Sequence, residues 1–460
     1  MTIKIKDSFS DKKEFYTISG NEVKIYTCGP TVYSNVSIGN LRSFISSDIL
    51  KKSLLYLGFD IKDVMNITDV GHLMNDLDEG EDKIQKKSEE TGNDIYEIID
   101  NYTKYFFNSI KKVNIKEPSI ISKASENIDS IIEIIKILES KGFVYQTSTG
   151  VYFDVSKFPE YNNLINQTYK SQKSFARSSV VIDNTKKNQQ DFRLWQTYYK
   201  NHIMQWDSPW GRGFPGWHVE CSAIIYKYLG ENIDIHTSGV DLKLTHNVNE
   251  ISQSKSAFDG NFVNFWVHSG MLLIDNKKMS KSLNNIYLIE DLERKNFDPL
   301  ALRYLYFNSH YSTTINFTFD SLLSAQSALK KLYEFITLNK DNYDTKSVVN
   351  KYYKDLFIKK IEDDLDTPGM LDVLWSMIKD TNLNNSEKIV TMLDFDNVFS
   401  FNFIDIFNSD VPEDLLKLLD LRNKYRLEKD WNNSDKIRNK INSLGYNVMD
   451  LKDKSFLIKI

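Results

Sequence analysis

Near its N-terminus the chain reads as strand, glycine-bearing loop, helix, strand, and that order admits few folds. Residues 22–28 (Glu-Val-Lys-Ile-Tyr-Thr-Cys) alternate as a strand does. A loop with Gly29, Pro30 and Gly39 follows. Leu41, Phe44, Ile45, Ile49 and Leu54 then recur at helical spacing up to Gly58, a helix stop. Residues 61–68 read as the next strand. Such a βαβ unit predicts parallel strands with a right-handed crossover, and with it an α/β, Rossmann-like, doubly wound parallel sheet.

The rhythm breaks between residues 115 and 215. That stretch holds a helical pattern at 125–142, a short strand at 150–153 and a polar run near 183–190, and it reads as an insertion. The α/β pattern resumes with helix 217–229, strand 232–236, helix 244–256 and strand 261–268. Leu302, Leu305, Leu322, Leu329 and Leu332 then mark helical faces, and helices run to about residue 393. The expected division is 1–114 and 216–300 as two halves of one catalytic domain, 115–215 as a connective insertion, 301–410 as a helical bundle and 411–460 as a last small unit. No internal repeat is visible.

Composition bounds the class. At about 150 residues per domain, 460 residues suggest three or so domains. Hydrophobic content of 41% and charged content of 26% are those of a soluble globular protein. No run reaches the 18 or so apolar residues that a membrane span needs, so no membrane association is expected. Residues 1–7 have no apolar signal-peptide core. Two cysteines in so long a chain do not make a disulfide framework, and the expectation is a cytoplasmic protein. The net charge of −5 argues against a surface that coats nucleic acid throughout. Residues 421–460, however, carry 10 Lys+Arg against 5 Asp+Glu, an excess that points to a polyanion contact at this end.

The two cysteines, Cys28 and Cys221, each lie in a loop-like motif. His246 and Glu250 stand four apart, so on a helix they share a face. Should the four converge, they make a four-ligand zinc site, and zinc can grip a thiol. Two isolated cysteines are more often small buried hydrophobes.

Lys278-Met279-Ser280-Lys281-Ser282 is the most specific short motif. Two lysines and hydroxyls in a tight loop after the apolar strand 271–274 can hold a polyphosphate while charge moves onto it. The arrangement is similar to the mobile KMSKS loop of class I aminoacyl-tRNA synthetases. Within that class the chain resembles cysteinyl-tRNA synthetases nearly end to end. The resemblance rests on residues 26–33 (Tyr-Thr-Cys-Gly-Pro-Thr-Val-Tyr), 66–70 (Asn-Ile-Thr-Asp-Val), 191–195 (Asp-Phe-Arg-Leu-Trp), 208–211 (Ser-Pro-Trp-Gly), 215–223 (Pro-Gly-Trp-His-Val-Glu-Cys-Ser-Ala), 268–271 (His-Ser-Gly-Met), and Lys429-Asp430-Trp431 with Asp435 and Arg438.

The resemblance implies a set of roles. Cys28, Cys221, His246 and Glu250 fall on the family's zinc ligands, one ion per chain. Zinc would bind the substrate as thiolate, which separates cysteine from serine without an editing domain. Gly29, Thr31, Thr68, Trp217 and His236 fall at the amino-acid pocket, with the indole closing over cysteine and His236 meeting its polar groups. Asn66 and Asp69 end the same strand as Thr68. Ile38, Gly39, Asn40, Lys278, Ser280 and Lys281 fall at the ATP site, with Mg2+ accompanying ATP. Lys278, Lys281, Ser37 and Asn40 are the candidates for the reacting phosphate. Here the chain departs from the family: His-Ile-Gly-His is replaced by Ser37-Ile38-Gly39-Asn40, so both imidazoles are gone. Asn40 retains donor and acceptor capacity, whereas Ser37 is shorter and carries no charge.

Arg426, Trp431, Asp435 and Asp450 fall at the anticodon reader, where Arg suits guanine edges and carboxylates suit base amines. Trp431 stacks on a base or packs between helices, and packing is the more frequent outcome for a single Trp. The segment 71–83 varies among relatives and reads as a loop near the acceptor end of tRNA, with a plain surface loop as the alternative. The implied reaction joins L-cysteine to its tRNA through a cysteinyl-adenylate, in a monomer. Competing readings are a cysteine ligase acting on a small amine acceptor, which would lack residues 411–460, and a weakened RNA-binding relative, which would have no need of the zinc set or residues 278–282.

Overall fold

The computed structural model describes all residues except 1–2, 11–13, 16–19, 74–81, 166–184, 198–201, 281–282, 451–454 and 460. Lys281 and Ser282, most of the 71–83 segment and the start of the polar run at 183–190 therefore lie outside the described residues.

In chain order the first strands are β1 (Glu22–Thr27), β2 (Asp60–Ile67) and β3 (Ile120–Lys123). The insertion contributes β4 (Val144–Gln146), β5 (Gly150–Phe153), β6 (Phe192–Gln196) and β7 (Phe214–Pro215). The α/β pattern resumes with β8 (Ile233–Gly239) and β9 (Val263–Ser269). The central sheet has the order β3-β2-β1-β8-β9, and every neighbouring pair is parallel. The chain thus runs outward from β1 through β2 to β3, and returns to the other side of β1 through β8 and β9. This reversal between β1 and β8 is the switch point where α/β sheets bind ligands, outside the carboxyl ends of the strands. β4 to β7 form a separate antiparallel sheet.

The helix Ile38–Tyr56 crosses from β1 to β2. Ser37, in extended conformation, caps its start, and it ends before Gly58 at φ +90°, a conformation that costs glycine little. Ile38, Leu41, Ile45, Leu50 and Leu54 are wholly buried, so the helix is locked against the sheet and its N-terminus is fixed beside the end of β1. The helix Trp217–Leu229 begins after Gly216 and stops at Gly230. The core under the insertion is continuous with that of the central sheet: Ile131, Ile134 and Leu138 of the helix Ile128–Ser140, with Phe153, Phe192 and Trp195, belong to the same buried cluster as Tyr26, Val64 and Ile233.

Two local features differ from the sequence expectation. The helix expected over 244–256 is in two parts: a π-helical turn Lys243–Asn247 and the α-helix Val248–Ala257. π-turns concentrate at functional sites, and this one carries His246. The strand around 271–274 is β10 (Leu272–Ile274), which with β11 (Lys277–Lys278) and β12 (Ile315–Phe317) makes a small sheet of order β11-β10-β12. β12 interrupts what the sequence suggests is an all-helical stretch.

By contact, the chain falls into two units. The first comprises Met1–Asp291, Ser309–Phe317 and Lys360–Thr367, and holds everything above. The second includes the helices Pro299–Phe307, Phe319–Asn339, Asn385–Phe399 and Phe403–Asn408. Its last elements are helices Glu413–Leu427 and Trp431–Ser443 and an antiparallel hairpin, β13 (Tyr446–Asp450) and β14 (Ser455–Lys459). These have their own small core of Leu415, Leu419, Ile441, Tyr446, Val448 and Leu457. No helix among the described residues is long and apolar enough to cross a membrane.

Candidate functional site

Cys28 follows the last residue of β1, and its backbone N–H donates to Thr237 O of β8 at 3.0 Å. Cys221 lies in the first turns of the helix Trp217–Leu229, His246 in the π-turn and Glu250 in the following helix. Three separate stretches of chain, around residues 28, 221 and 246–250, therefore meet at the switch point. The four ligand atoms all lie within 4.8 Å of one another, and all four residues are buried. His246 Nε2 is 3.3 Å from Cys221 Sγ and 3.1 Å from Glu250 Oε1. Zinc bonds of about 2.0–2.3 Å put tetrahedral ligand atoms about 3.3–3.8 Å apart, and the spacings here, from 3.1 Å to no more than 4.8 Å, bracket that range.

The electrostatics agree. Burial opposes charge on His246, yet the neighbouring Glu250 and Cys221 override it and push its pKa up to about 10. Burial likewise opposes the Glu250 carboxylate, but His236 and His246 hold it well below the usual range. Burial pushes the Cys221 thiol up. The cluster is buried, and its field favours a positive charge.

Outer contacts orient the four. His218 Nδ1 is 2.9 Å from His246 Nδ1, and burial keeps the His218 ring neutral. Asn247 Nδ2 donates to Glu250 Oε1 at 2.8 Å. His236 Nε2 is 3.1 Å from Glu250 Oε2. His236 is fully buried, stacked on Trp266, and is not among the residues lining the adjacent cavity. Its position is behind Glu250, off the wall of the cavity, whereas the resemblance places it at the amino-acid pocket.

That cavity is about 270 Å³ and is lined by Cys28, Thr31, Asn40, Thr68, Trp217 and His246, among others. Trp217 is half-buried; its indole lies 4.5 Å from the His246 ring and stacks on His72 at 3.9 Å. Gly29 donates its N–H to Asn66 Oδ1 at 2.7 Å, and a Cβ there would meet Asn66 O at 1.7 Å, so no other residue fits. Asn66 Nδ2 donates to Thr68 Oγ1 at 3.0 Å, and Thr68 in turn donates to Glu220. Burial pushes the Glu220 carboxyl well up. Asp69 is turned away, with Ser125 donating to it through N–H and hydroxyl at 2.9 and 2.5 Å.

The nucleotide signature is arranged around the start of the helix Ile38–Tyr56. Asn40 Oδ1 accepts from Ser37 N at 3.1 Å and from Ser37 Oγ at 2.7 Å, while Asn40 N donates to Ser37 Oγ at 3.2 Å. The pair that replaces two histidines is a capping box. Ile38 N donates to Tyr287 O at 2.9 Å, and a Cβ on Gly39 would lie 3.2 Å from Met279 Cε. The lysine-rich loop thus touches the helix start through Met279. Lys278 is exposed, Ser280 half-buried, and Asn285 stitches the loop by accepting from Ser280 N at 2.9 Å.

At the C-terminal unit Asp450 accepts from Arg422 Nη1 and Nη2, both at 2.7 Å, and from Arg426. Arg426 and Asp450, expected at bases, are paired with each other. Trp431 is 58% exposed, so it is not packed between helices, and Asp435, four residues on, shares its face and is exposed.

Sequence reasoning passed over His72 and Lys83. Both are buried and both line the cavity. The ends of the 71–83 segment are pocket wall and not plain surface: Asp82 is buried, accepts from Gly71 N at 2.8 Å and caps the helix Lys83–Thr91. His218, Asn247 and Glu220 were also unassigned; the adjoining ligands in Trp-His-Val-Glu-Cys and in His246-Asn247 were the available signal.

A family model described as the tRNA synthetases class I (C) catalytic domain matches residues 14–327. The cysteine–tRNA ligase of Treponema denticola is 37% identical, with 99% of this chain and 99% of that protein covered. That of Borrelia turicatae is 37% identical over 97% and 96%. Cysteine–tRNA ligase 1 of Burkholderia lata is 37% identical over 98% and 95%. Among solved structures, Mycobacterium tuberculosis methionyl-tRNA synthetase in complex with methionyl-adenylate aligns with TM-score 0.59 at 12% identity, covering 84% of this chain and 93% of that one. The Agrobacterium radiobacter LeuRS–tRNA–LeuAMS ternary complex aligns with TM-score 0.62 at 9% identity, covering 86% and 87%. These two likenesses speak to fold alone.

Proposed function

The chain belongs to the cysteine–tRNA ligases, enzymes of the class I synthetase family, and on that premise we propose how its residues divide the work. The enzyme joins cysteine to tRNA at the expense of ATP. Cys28, Cys221, His246 and Glu250 would hold zinc, and the observation that carries this is their convergence within 4.8 Å, with Cys28, Cys221 and His246 on the cavity wall. Zinc held there would supply a soft Lewis-acid site that takes a thiolate in preference to a hydroxyl, and so would separate cysteine from serine.

The other roles belong to this chain's own groups. Trp217 covers the amino-acid end of the cavity and excludes water. Gly29 and Asn66 hold the loop after β1 against the end of β2, fixing Thr31 and Thr68 on the wall. The start of the helix Ile38–Tyr56 faces the nucleotide with the positive end of its dipole, since Ile38 N and Asn40 N are already bonded to Tyr287 O and Ser37 Oγ. Lys278 and Lys281 bring positive charge to the polyphosphate, with Mg2+ accompanying ATP; Ser280 helps shape their loop. The cysteine carboxylate attacks the α-phosphate and pyrophosphate leaves; the terminal ribose hydroxyl of tRNA then attacks the acyl carbon and AMP leaves. No covalent enzyme intermediate is needed, and catalysis is positioning with charge stabilisation. Trp431, Asp435 and Arg426 face the anticodon, with Asp450 orienting Arg426. A monomer in the cytoplasm completes the proposal.

The test is cysteine-dependent ATP–pyrophosphate exchange followed by tRNA charging, with zinc measured on the same sample. Activity in both assays with one zinc per chain is expected. Full activation of cysteine by zinc-free protein would contradict the metal assignment.

A further inference from the structure

His268 lies near the end of β9, is buried, and is not among the residues lining the cavity. Its ring joins two distant parts of the chain. Nδ1 is 2.5 Å from Ser8 Oγ, and Nε2 is 2.9 Å from Asn247 Oδ1. Asn247 Oδ1 also accepts from Ser238 Oγ at 3.0 Å, and Asn247 Nδ2 donates to Glu250 Oε1 at 2.8 Å. An unbroken line of contacts thus runs from the N-terminal segment to a candidate zinc ligand.

The N-terminal segment is tied down where it meets this line. Ser8 N donates to Trp266 O at 3.0 Å, Asp7 Oδ1 accepts from Trp266 N at 2.8 Å, and Lys243 Nζ donates to Ser8 O at 2.6 Å. Ile3 and Ile5 are buried, and the Phe9 ring lies edge-on to Trp266 and His268 at 5.6 and 5.8 Å. Backbone pairing, apolar burial and a lysine therefore hold the Ser8 hydroxyl against the imidazole.

The proton order follows from elementary chemistry, read outward from Glu250. A carboxylate that ligates a metal only accepts, so the Asn247 amide turns its NH2 to Glu250 and its oxygen away. His268 Nε2 then carries its proton. Burial, and next the ammonium of Lys243, keep the His268 ring neutral, so Nδ1 is bare and the Ser8 hydroxyl donates to it. Every donor in the line points toward Glu250, and aligned bonds of this kind strengthen one another. With Asn247 on Oε1 and His236 Nε2 3.1 Å from Oε2, the carboxylate is held by both oxygens and its plane is fixed.

We propose that Ser8 and His268 are positioning residues of the metal centre, holding the Asn247 amide in the sense that presents its N–H to Glu250, so that the N-terminal segment forms part of the site. The inference rests on the zinc reading above and names what orients its carboxylate ligand. Neither residue touches the metal or the substrate.

The experiment measures zinc affinity by competition with a chelator for full-length wild type, Ser8→Ala, Ser8→Thr and His268→Phe. His268→Phe is expected to weaken zinc binding by about 10–100-fold, as loss of a ligand's outer support does. Ser8→Ala removes one hydrogen bond a step further out and is expected to weaken it by about 2–10-fold. Ser8→Thr keeps the hydroxyl and should recover most of that loss. The proton order has its own readout in zinc-free protein. Among the seven histidines, NMR of isotope-labelled ring nitrogens should show His268, recognised by its shift in Ser8→Ala, as neutral with its proton on Nε2. Unchanged zinc affinity in Ser8→Ala overturns the proposal. So does a Ser8→Thr variant as weak as Ser8→Ala, and so does a His268 proton on Nδ1. Should His268→Phe fail to fold, the Ser8 pair and the proton position carry the test. Wild-type protein that binds no zinc, or zinc retained in the Cys28→Ser, Cys221→Ser double variant, would instead overturn the metal reading itself.

Discussion

Ser37 and Asn40 hold each other at the start of the helix Ile38–Tyr56, each side chain hydrogen-bonded to the other's backbone N–H and Ser37 Oγ donating to Asn40 Oδ1 at 2.7 Å. The resemblance places histidines at both positions. Here the two side chains serve the helix before they serve a nucleotide. Ser37→Ala should therefore cost stability by about 1 kcal/mol, as loss of a cap does, with a small change in pyrophosphate exchange. The paired change Ser37→His and Asn40→His should also lose the cap, yet speed exchange by about tenfold or more if an imidazole there stabilises the reacting phosphate. Thermal unfolding and exchange rates on the same variants separate the two effects. An unaltered exchange rate in the double variant would show that the scaffold does not need the imidazoles.

His236 makes its case through Glu250. Its Nε2 lies 3.1 Å from Glu250 Oε2, while Glu250 Oε1 faces His246. His236→Ala should weaken zinc binding by about 10–100-fold, the usual effect of removing a ligand's outer partner. Competition with a chelator checks it. Cys28→Ser or Cys221→Ser should lose zinc and cysteine activation together. If His236→Ala raised KM for cysteine while zinc affinity held, His236 would be a substrate contact after all.

The parts of this chain that were legible from sequence are those where one physical signal dominates. The helix Trp217–Leu229 lies between Gly216 and Gly230. β1, β2 and β5 have apolar patterns bounded by turn residues. The two cysteines stood out because the chain has only two, and His246 and Glu250 were legible as ligands through the resemblance, which places the family's zinc set on them. His72 and Lys83 were not, because their meeting depends on the antiparallel bridge Leu73–Asp82 and on Asp82 gripping Gly71. Nothing in a polar stretch announces such a closure. β12 was hidden for a related reason: three residues, Ile315–Phe317, are too few for a periodic signal, and their strand character comes from pairing with β10. That His236 lies beside Glu250 and not on the cavity wall was not legible, because its strand is buried on both faces, where alternation no longer tells which side meets the cavity.

Lys51 and Asp63 form a buried ion pair at 2.8 Å, linking the crossover helix to β2. Burial pushes the Asp63 pKa up, but Lys51 and hydrogen bonds from Ser119 outweigh it, and the net shift is downward. A depressed folded pKa means that the stabilisation is complete above the unfolded carboxylate value of about 3.9 and is lost as pH falls through the folded value. Lys51→Met leaves the carboxylate buried without its partner and should destabilise the protein by about 3 kcal/mol at neutral pH. The gap between wild type and variant should narrow below about pH 4, as Asp63 takes up a proton in both. Denaturant titrations across that range check the sign. A gap that widened on acidification would mean that the pair does not set the pH dependence.

Trp431 offers a clean separation of stability from recognition. Its indole is 58% exposed at the first position of the helix Trp431–Ser443, on one face with the exposed Asp435. An exposed ring contributes little to packing, so Trp431→Ala should change stability by no more than about 0.5 kcal/mol. A ring that stacks on a base is worth about 1–3 kcal/mol, so the same variant should bind tRNA roughly 5–150-fold more weakly. Pyrophosphate exchange, which needs no tRNA, should be unaffected. Arg422 is the contrast: buried and bidentate to Asp450, it should cost fold in the C-terminal unit when replaced by Ala, and tRNA binding only as a consequence. Thermal unfolding and tRNA titration on both variants distinguish the two cases. Equal tRNA affinity in wild type and Trp431→Ala would remove Trp431 from the anticodon surface.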